Sequence, residues 1–231
     1  MIIKFHKVNL KKKFPLQISR GIHSESQNVF IELIEDGITA WGESAPGKTE
    51  GASSAIQVEE SLVKLIEEGI EGLSIYDVYQ KGKELKTPPC ALAALDIALW
   101  DLKAKKANLQ LNDLLGIPKP STPTSITVGI NPPEVVKKRV ELILKNKQVR
   151  ALKIKLGSPN GIDYDKEIYS QVLESTKSSK ISIRVDANGG WDLDDAKEMI
   201  KWLSERNAEY IEQPLAEGNE DQLKFLFKGR S

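Results

Sequence analysis

Four charged residues in the second half of the chain have types and spacings that suit acid–base chemistry. Lys153 and Lys155 are two residues apart on a strand-like run, so the strand period of two directs both ammonium groups to one face. Asp186 and Glu212 each stand at the end of a later apolar run. Carboxylates bind hard divalent cations, and a neutral lysine can accept a proton. The four residues therefore suggest metal-assisted proton transfer.

Each of these segments also has an ordinary structural explanation. A Lys-x-Lys pair on a strand usually lies on a solvated face, and Asp186 and Asn188 could simply form turn hydrogen bonds ahead of a helix. The combination favours a functional site. Two carboxylates at successive strand ends beside two lysines serve no purpose in a plain core, whereas a metal ion accounts for the acids and leaves the lysines free to transfer protons.

A regular alternation of strand-like and helix-like segments positions these residues. The strand ends Gly129, Lys155, Asp186 and Glu212 follow one another at intervals of about 26 to 31 residues, the size of a βα unit in a parallel sheet. Active-site groups of parallel barrels lie at the C-terminal ends of strands. The sequence predicts strands at 125–130, 151–156, 181–186 and 210–212, and helices at 132–147, 165–175, 192–205 and 221–227.

These four βα units are half of what a closed barrel requires. A (β/α) barrel has eight units over about 250 residues. We therefore expect residues 121–231 to form the first half of a TIM-like (β/α) barrel, an α/β architecture that is incomplete as it stands. On this expectation the chain is a fragment of a longer protein, or a truncated product whose sheet edge something else covers.

In the first part of the chain, strand-like runs come first and helical patterns follow, an order that is typical of a small α+β domain. Short strand-like runs lie at 2–5, 29–33 and 39–43, with a hairpin turn signal at Glu35-Asp36-Gly37 between the second and the third. Helical patterns follow at 52–68, 75–83 and 89–106. The densest cluster of helix and strand breakers runs from Gly116 to Pro123. We place the domain boundary there, which gives domains at 1–120 and 121–231.

Composition limits the classes of partner. Lys plus Arg and Asp plus Glu number 33 each, so no overall charge indicates nucleic acid, a membrane surface or a polyanionic partner, and the choice of partner must depend on local features. No apolar run approaches the roughly 20 residues needed to span a bilayer, and the N-terminus lacks the pattern of a secretory signal, so we expect a cytoplasmic protein. The oligomeric state leaves no signature, and a homo-oligomer stays open.

Three motifs carry a resemblance to a known family. Lys153-Ile-Lys155, Arg184-Val-Asp186-Ala-Asn188 and Ile211-Glu212-Gln213-Pro214, in this order and spacing, resemble the enolase superfamily, specifically the muconate lactonising branch with its Lys-x-Lys motif. Trp41-Gly42-Glu43 and the Ala-rich stretch from Leu92 to Leu102 are similar to that family's N-terminal capping domain. The resemblance implies an α+β cap on a barrel, and a magnesium ion, held by three carboxylates, that stabilises an enediolate after a base removes the proton α to a substrate carboxylate.

The resemblance also implies a role for each charged residue. Asp186 and Glu212 match the first two metal ligands, and Lys155 matches the base on one face of the substrate. Lys153 matches the lysine that lies beside the substrate carboxylate and helps to keep Lys155 deprotonated. The third carboxylate and the opposite-face lysine are expected beyond Ser231, and the 231-residue chain alone is expected to be inactive.

Within the family, the closest likeness is to the dipeptide epimerases, such as the L-Ala-D/L-Glu epimerases. Arg20 resembles a capping-loop arginine that recognises the glutamyl carboxylate of the substrate, which suits the bidentate geometry of a guanidinium group. Thr127, Asn188 and Lys153 match positions that line the dipeptide site. The implied partner is a small molecule, a dipeptide or another carboxylate, and the implied activity is isomerisation of a dipeptide such as L-Ala-L-Glu. The alternatives are an o-succinylbenzoate synthase, a muconate-type cycloisomerase, or a catalytically silent fragment.

Overall fold

The structure, a computed structural model, describes residues 1–227. The chain divides into two compact units that are not contiguous in sequence. Met1–Lys11 and Glu25–Pro120 form the first unit, whereas Lys12–Ser24, named here the hairpin tip, joins the residues from Ser121 onward in the second. The compact units and the predicted domains share the boundary at residue 120 but differ over the hairpin tip. The domain ranges 1–120 and 121–231 stay a prediction.

The first sheet contains three strands in the order β1-β2-β3. Its strands are β1 (Ile2–Ile18), β2 (Gly21–Glu35) and β3 (Ile38–Ser44), and the helices that follow are α1 (Ala55–Glu67), α2 (Ile75–Glu84), α3 (Pro89–Lys106) and α4 (Leu111–Leu114). β2 and β3 pair antiparallel around Asp36 and Gly37, which have positive φ angles of 52° and 77°. Asp and Gly are residues that tolerate this left-handed conformation, so the hairpin turn signal is confirmed.

Alternating side chains of β2 supply one face of the core of the first unit. Val29, Ile31 and Leu33 are completely buried, as the period of two requires when one sheet face is covered. They cluster with the buried apolar residues of α1 and α3, such as Leu62 and Leu95. The strand and helix patterns of the sequence therefore yield the α+β architecture that was expected.

Strands β1 and β2 are much longer than the predicted runs at 2–5 and 29–33. Their outer parts, up to Ile18 and from Gly21 onward, carry mostly exposed or half-buried side chains. No buried face imposes an apolar alternation there, so the sequence pattern is uninformative. Pairing of the main chains of neighbouring strands holds these segments, and such pairing depends little on side-chain type.

The second sheet contains four parallel strands in the order β4-β5-β6-β7. Its strands are β4 (Ser125–Val128), β5 (Ala151–Lys155), β6 (Ser182–Asp186) and β7 (Ile211–Glu212), and the intervening helices are α5 (Pro133–Leu144), α6 (Ile162–Thr176) and α7 (Leu193–Ser204). A 3₁₀ turn (Glu220–Gln222) and α8 (Leu223–Phe227) follow β7. The four predicted βα units are confirmed, with bounds that differ by a few residues.

One continuous core lies between the second sheet and its helices. Leu152, Ile154 and Val185 are completely buried and alternate with the charged residues of the same strands. They belong to a cluster that includes Ile168 of α6 and Met199 of α7. This packing fixes the strands side by side and leaves the alternate side chains, including both lysines, on the other face of the sheet.

Within the second unit, the hairpin tip packs on the residue that follows Gly129 and on α5. The main-chain nitrogen of Ile130 donates to the carbonyl of Gln17 at 2.9 Å, just after β4. The guanidinium group of Arg139 on α5 stacks on the ring of Phe14, with its central carbon 3.7 Å from the ring centroid. Within residues 1–227, none of the helices combines the length and apolarity that crossing a membrane requires.

Candidate active site

Three neighbouring strands bring the predicted residues together at one edge of the second sheet. Lys155 is in register with Asp186, and Asp186 is in register with Glu212. Adjacent strands lie about 4.8 Å apart, so these three side chains stand side by side at the C-terminal ends of their strands. Thr127, which is half-buried, is in register with Lys153 on the neighbouring strand. The structure therefore brings together both predicted lysines and both predicted carboxylates.

Lys155 is a buried lysine with two oxygen partners. Its Nζ donates to Asp186 Oδ2 at 2.6 Å and to the side-chain Oδ1 of Asn188 at 2.8 Å. Only 8% of the residue is exposed. A charged lysine is rarely buried without partners, and these two oxygens compensate for its lost hydration. The alternative that the Lys-x-Lys pair forms a solvated face does not fit Lys155.

Lys153 contacts both carboxylates with a single ammonium group. Its Nζ lies 2.7 Å from Glu212 Oε2 and 3.3 Å from Asp186 Oδ2. The two carboxylates therefore approach each other closely enough to share one positive charge. Two converging carboxylates are a donor set that a hard cation such as Mg²⁺ prefers, so the residues present fit part of a metal site.

The pKa values of Asp186 and Lys153 are shifted in the directions that favour their charged forms. Burial raises the pKa of Asp186, but hydrogen bonds from Lys155 and from the main chain of Asn188 outweigh it, so the pKa lies below its ordinary value. Burial lowers the pKa of Lys153, yet its contacts with Glu212 and Asp186 raise it above the ordinary value. Asp186 is thus a carboxylate, and Lys153 an ammonium ion, at neutral pH.

A complete metal-binding group is not formed by the described part of the chain. Among residues 1–227, no three His, Cys, Asp or Glu side chains converge as ligands of one ion. Asp186 is almost completely buried, and 47% of the Glu212 side chain is exposed. The roles of both residues as metal ligands stay a prediction, as does a third ligand beyond Ser231.

Asn188 occupies the turn that follows Asp186 and has three polar contacts there. Its φ of 47° is left-handed, a conformation that asparagine tolerates better than most residues. Its main-chain nitrogen donates to Asp186 Oδ1 at 2.9 Å, and its carbonyl accepts from the hydroxyl of Ser19 at 2.9 Å. Its side chain accepts from Lys155, as described above. The turn hydrogen bond expected at this position is therefore present together with a direct contact to a predicted catalytic residue.

Arg20 lies next to Ser19 in the turn of the hairpin tip and is exposed. Within the described part of the chain, no carboxylate lies within 4 Å of its guanidinium group. The position leaves Arg20 available to an external anion. Its role in substrate recognition, like that of Thr127, stays a prediction.

Asp165 is a buried carboxylate that sequence reasoning missed. Its oxygens accept hydrogen bonds from the main-chain nitrogens of Gly157 and Ser158 and from Trp191 Nε1, at 2.8 to 3.0 Å. Asp165 thereby connects the turn after Lys155 with the segment after Asp186. An acidic residue in the first turn of a helix is commonplace, so the sequence carries no signal of this role.

Comparisons with known proteins agree with the architecture. Residues 2–116 match the N-terminal domain of mandelate racemase / muconate lactonizing enzyme, and residues 135–228 match the enolase C-terminal domain-like family. The structure is similar to that of a dipeptide epimerase from Enterococcus faecalis V583 complexed with Mg and the dipeptide L-Leu-L-Tyr. That likeness has a TM-score of 0.88 and 27% identity, and it covers 98% of this chain and 64% of the other.

Two relatives have sequences more than half identical to this one. A hydrophobic dipeptide epimerase of Flavobacteria bacterium (strain MS024-2A) is 56% identical over 230 residues, and one of Roseobacter litoralis is 51% identical over 231 residues. The matches cover the whole of this chain but 66% and 67% of the relatives' lengths. With both domains matched in order, the chain belongs to the mandelate racemase / muconate lactonizing enzyme family of the enolase superfamily.

Proposed function

We propose that the full-length protein is a magnesium-dependent dipeptide epimerase, an isomerase that inverts the carbon α to a carboxylate. The observation that carries the proposal is the buried side-chain nitrogen of Lys155, held by Asp186 and Asn188 beside two carboxylates that converge on Lys153. A lysine so placed at a strand end suits proton transfer at a bound substrate. The names of the relatives support the same reaction class.

Asp186 and Glu212 are the residues of this chain that would hold the metal ion. Their side chains converge from adjacent strands, and Asp186 carries its charge at neutral pH. When bound, Mg²⁺ supplies positive charge next to the substrate carboxylate, where negative charge develops during the reaction. Lys153, whose pKa is raised, remains a cation and can donate hydrogen bonds to the same carboxylate.

Lys155 takes the proton from the α carbon of the substrate. The electron pair of the broken C–H bond moves into the carboxylate and gives an enediolate. Return of a proton to the opposite face then completes the inversion, and the group that returns it is expected from later strands of the barrel. The side-chain oxygen of Asn188 and the carboxylate of Asp186 direct the nitrogen of Lys155 before reaction.

A hydrophobic dipeptide is the substrate class that the relatives favour. Both relatives above 50% identity are named hydrophobic dipeptide epimerases, and the similar structure from Enterococcus faecalis contains L-Leu-L-Tyr. An acidic dipeptide such as L-Ala-L-Glu is the second candidate, because exposed Arg20 has no carboxylate partner in the described range. No observation favours the o-succinylbenzoate synthase and muconate-type cycloisomerase alternatives.

Solvent deuterium exchange tests the reaction. The full-length protein with Mg²⁺ should incorporate deuterium at the α carbon of a dipeptide and yield its epimer. Lys155→Ala should lower the rate by a factor on the order of 10²–10⁴, the usual contribution of a general base. Lys177→Ala, at the far end of α6, is the matched control and should react like the wild type. Equal exchange by the wild type and Lys155→Ala would refute the assignment.

A substrate panel separates the two substrate classes. L-Ala-L-Leu and L-Leu-L-Tyr should react with a higher kcat/KM than L-Ala-L-Glu if the hydrophobic class is right. Under the acidic alternative, L-Ala-L-Glu is preferred, and Arg20→Met abolishes that preference by removing the bidentate donor. A panel in which only muconate or a cyclohexadiene carboxylate reacts would overturn the dipeptide assignment.

A further inference from the structure

Asn188 connects the hairpin tip with the predicted base. Its main-chain carbonyl accepts from Ser19 Oγ at 2.9 Å, and its side-chain Oδ1 accepts from Lys155 Nζ at 2.8 Å. The two partners bond to different oxygens of one residue and are separated from it by 169 and 33 positions in sequence. A displacement of Ser19 would therefore act on the peptide that orients the Asn188 side chain.

The backbone of Asn188 depends on its neighbours for its conformation. A left-handed φ is costly for a residue with a side chain, and such conformations persist when several contacts hold them. The main-chain nitrogen bonds to Asp186, and the next residue, Gly189, donates to the carbonyl of Gln213 at 2.8 Å. Ser19 supplies the remaining contact, to the carbonyl. Half-buried Ser19 thus helps to determine where the amide of Asn188 points.

We propose that Asn188 is a positioning residue through which Ser19 fixes the Lys155 nitrogen in its reactive orientation. The proposal rests on the proposed function, because it assigns Lys155 the role of base. Ser19 precedes Arg20, so the turn that carries this exposed guanidinium group also orients the group that takes the proton. Two hydrogen bonds thereby couple the hairpin tip to the predicted base.

A double-mutant cycle tests the coupling in the full-length protein with Mg²⁺. Ser19→Ala should lower kcat for α-deuterium exchange about fivefold, the effect of one lost neutral hydrogen bond. Asn188→Gly keeps the left-handed backbone and the carbonyl but removes the side-chain amide. In the Asn188→Gly background, Ser19→Ala should leave kcat unchanged, because the route to Lys155 no longer exists. Ser24→Ala, an exposed serine of the same tip, is the control.

A purely structural role of Ser19 gives a different result. If Ser19 only holds Arg20 against the substrate, Ser19→Ala raises KM, and it does so equally in the Asn188→Gly background. That outcome would overturn the proposal.

Amide hydrogen exchange provides a readout that needs no turnover. In Ser19→Ala, a peptide spanning 186–191 should exchange at least about fivefold faster than in the wild type or Ser24→Ala, since an opened contact exposes the turn. Unchanged exchange would refute the Ser19–Asn188 link. A wild type that epimerises no dipeptide would instead refute the proposed function, and the amide exchange would still decide on the link.

Discussion

The ammonium group of Lys153 occupies the point on which Asp186 and Glu212 converge, at 3.3 and 2.7 Å from their oxygens. A divalent cation bound by the same oxygens must compete with it or push it aside. Either cation would place positive charge between the two carboxylates. This competition has a measurable consequence for the stability of the protein and for its affinity for Mg²⁺.

Replacing Lys153 by methionine should make the protein depend more strongly on the metal. Without the ammonium group, the two carboxylates repel each other, so Tm in the presence of a chelator should fall. Mg²⁺ should then bind about tenfold more tightly, equivalent to about 1.4 kcal/mol, because no resident cation competes. Thermal unfolding with a titration of Mg²⁺ measures both effects.

Lys166→Met is the control for this experiment. Lys166 pairs with Asp163 and Glu198 on helix surfaces, so its removal should leave the Mg²⁺ dependence of Tm unaltered. The same Mg²⁺ dependence in Lys153→Met as in the wild type would contradict the competition.

The residues of the charged cluster could be predicted, whereas their connections could not. Strand periodicity and strand-end spacing were enough to predict that four charged residues lie close together, namely Lys153, Lys155, Asp186 and Glu212. Ser19 carried no signal, because its partner is a main-chain carbonyl 169 positions away. A contact of this kind leaves no local pattern, since every residue type offers the same carbonyl.

Gly157 follows the strand that carries Lys155 and marks a close approach between two segments. Its φ is 77°, and a Cβ atom there would lie 2.3 Å from the carbonyl oxygen of Ala187. A side chain would thus push apart the turns that follow Lys155 and Asp186. The glycine is required for both its backbone conformation and the space.

Gly157→Ala should therefore destabilise the second unit more than Gly161→Ala does. Gly161 has a similar φ of 90° but open space around a built Cβ, so its replacement costs roughly 1–2 kcal/mol for the left-handed backbone alone. Gly157→Ala should lose roughly a further 1–3 kcal/mol through the clash. Urea unfolding of both variants measures the difference, and equal losses would show that the segments separate freely.

Arg184 of β6 links the first residue of β4 with the segment just before β7. Its guanidinium group donates to Glu209 Oε2 at 2.8 Å and to Ser125 Oγ at 2.8 Å. The hydrogen bond from Arg184 is the main reason why the pKa of Glu209 lies below its ordinary value of 4.5. A carboxyl group whose pKa is lowered in the folded state stabilises the fold fully when the pH is above the ordinary pKa of the group. This contribution is lost as the pH falls through the lowered pKa.

Glu209→Gln should consequently be less stable than the wild type at pH 7 but equally stable in acid. The difference in free energy of unfolding should shrink as the pH falls below 4.5, and urea unfolding at pH 7 and pH 3 would reveal it. Glu205→Gln removes a glutamate that contacts Arg206 at a longer 3.5 Å and should change little at either pH. A difference that is as large at pH 3 as at pH 7 would exclude the ion pair as its cause.

The predictability of the elements follows from burial. β4 to β7 and α5 to α7 were predicted because a continuous core covers one side of each and imposes a period. The outer part of β1 contains Lys11, Lys12, Lys13 and Pro15, a composition typical of a loop. It is a strand because the neighbouring strand pairs with it, which is information that its own residues do not carry.

For the molecule as a whole, the carboxylates present suggest how the 231-residue chain will bind Mg²⁺. Mg²⁺ requires several well-placed oxygens, and the described residues bring two carboxylates together, both paired with lysines. Calorimetry should find Mg²⁺ binding to this chain weaker than to the full-length protein by about tenfold or more. Equal affinities would mean that the metal site is complete without further ligands.

The hairpin tip lies near the N-terminus in sequence, but in space it belongs to the second compact unit, whose other residues follow Pro120. A genetic crossover near residue 120 that joined the first part of one relative to the second part of another would carry Ser19 and Arg20 across together. Such a chimera would inherit the hairpin tip from one parent and the lysines and carboxylates of the second sheet from the other. Because Ser19 donates to a main-chain carbonyl, which every residue type offers, the hydrogen bond between the hairpin tip and position 188 would be kept in the chimera. On the proposed function, recombination would exchange the turn that carries Arg20 and leave the residues assigned to proton transfer unaltered.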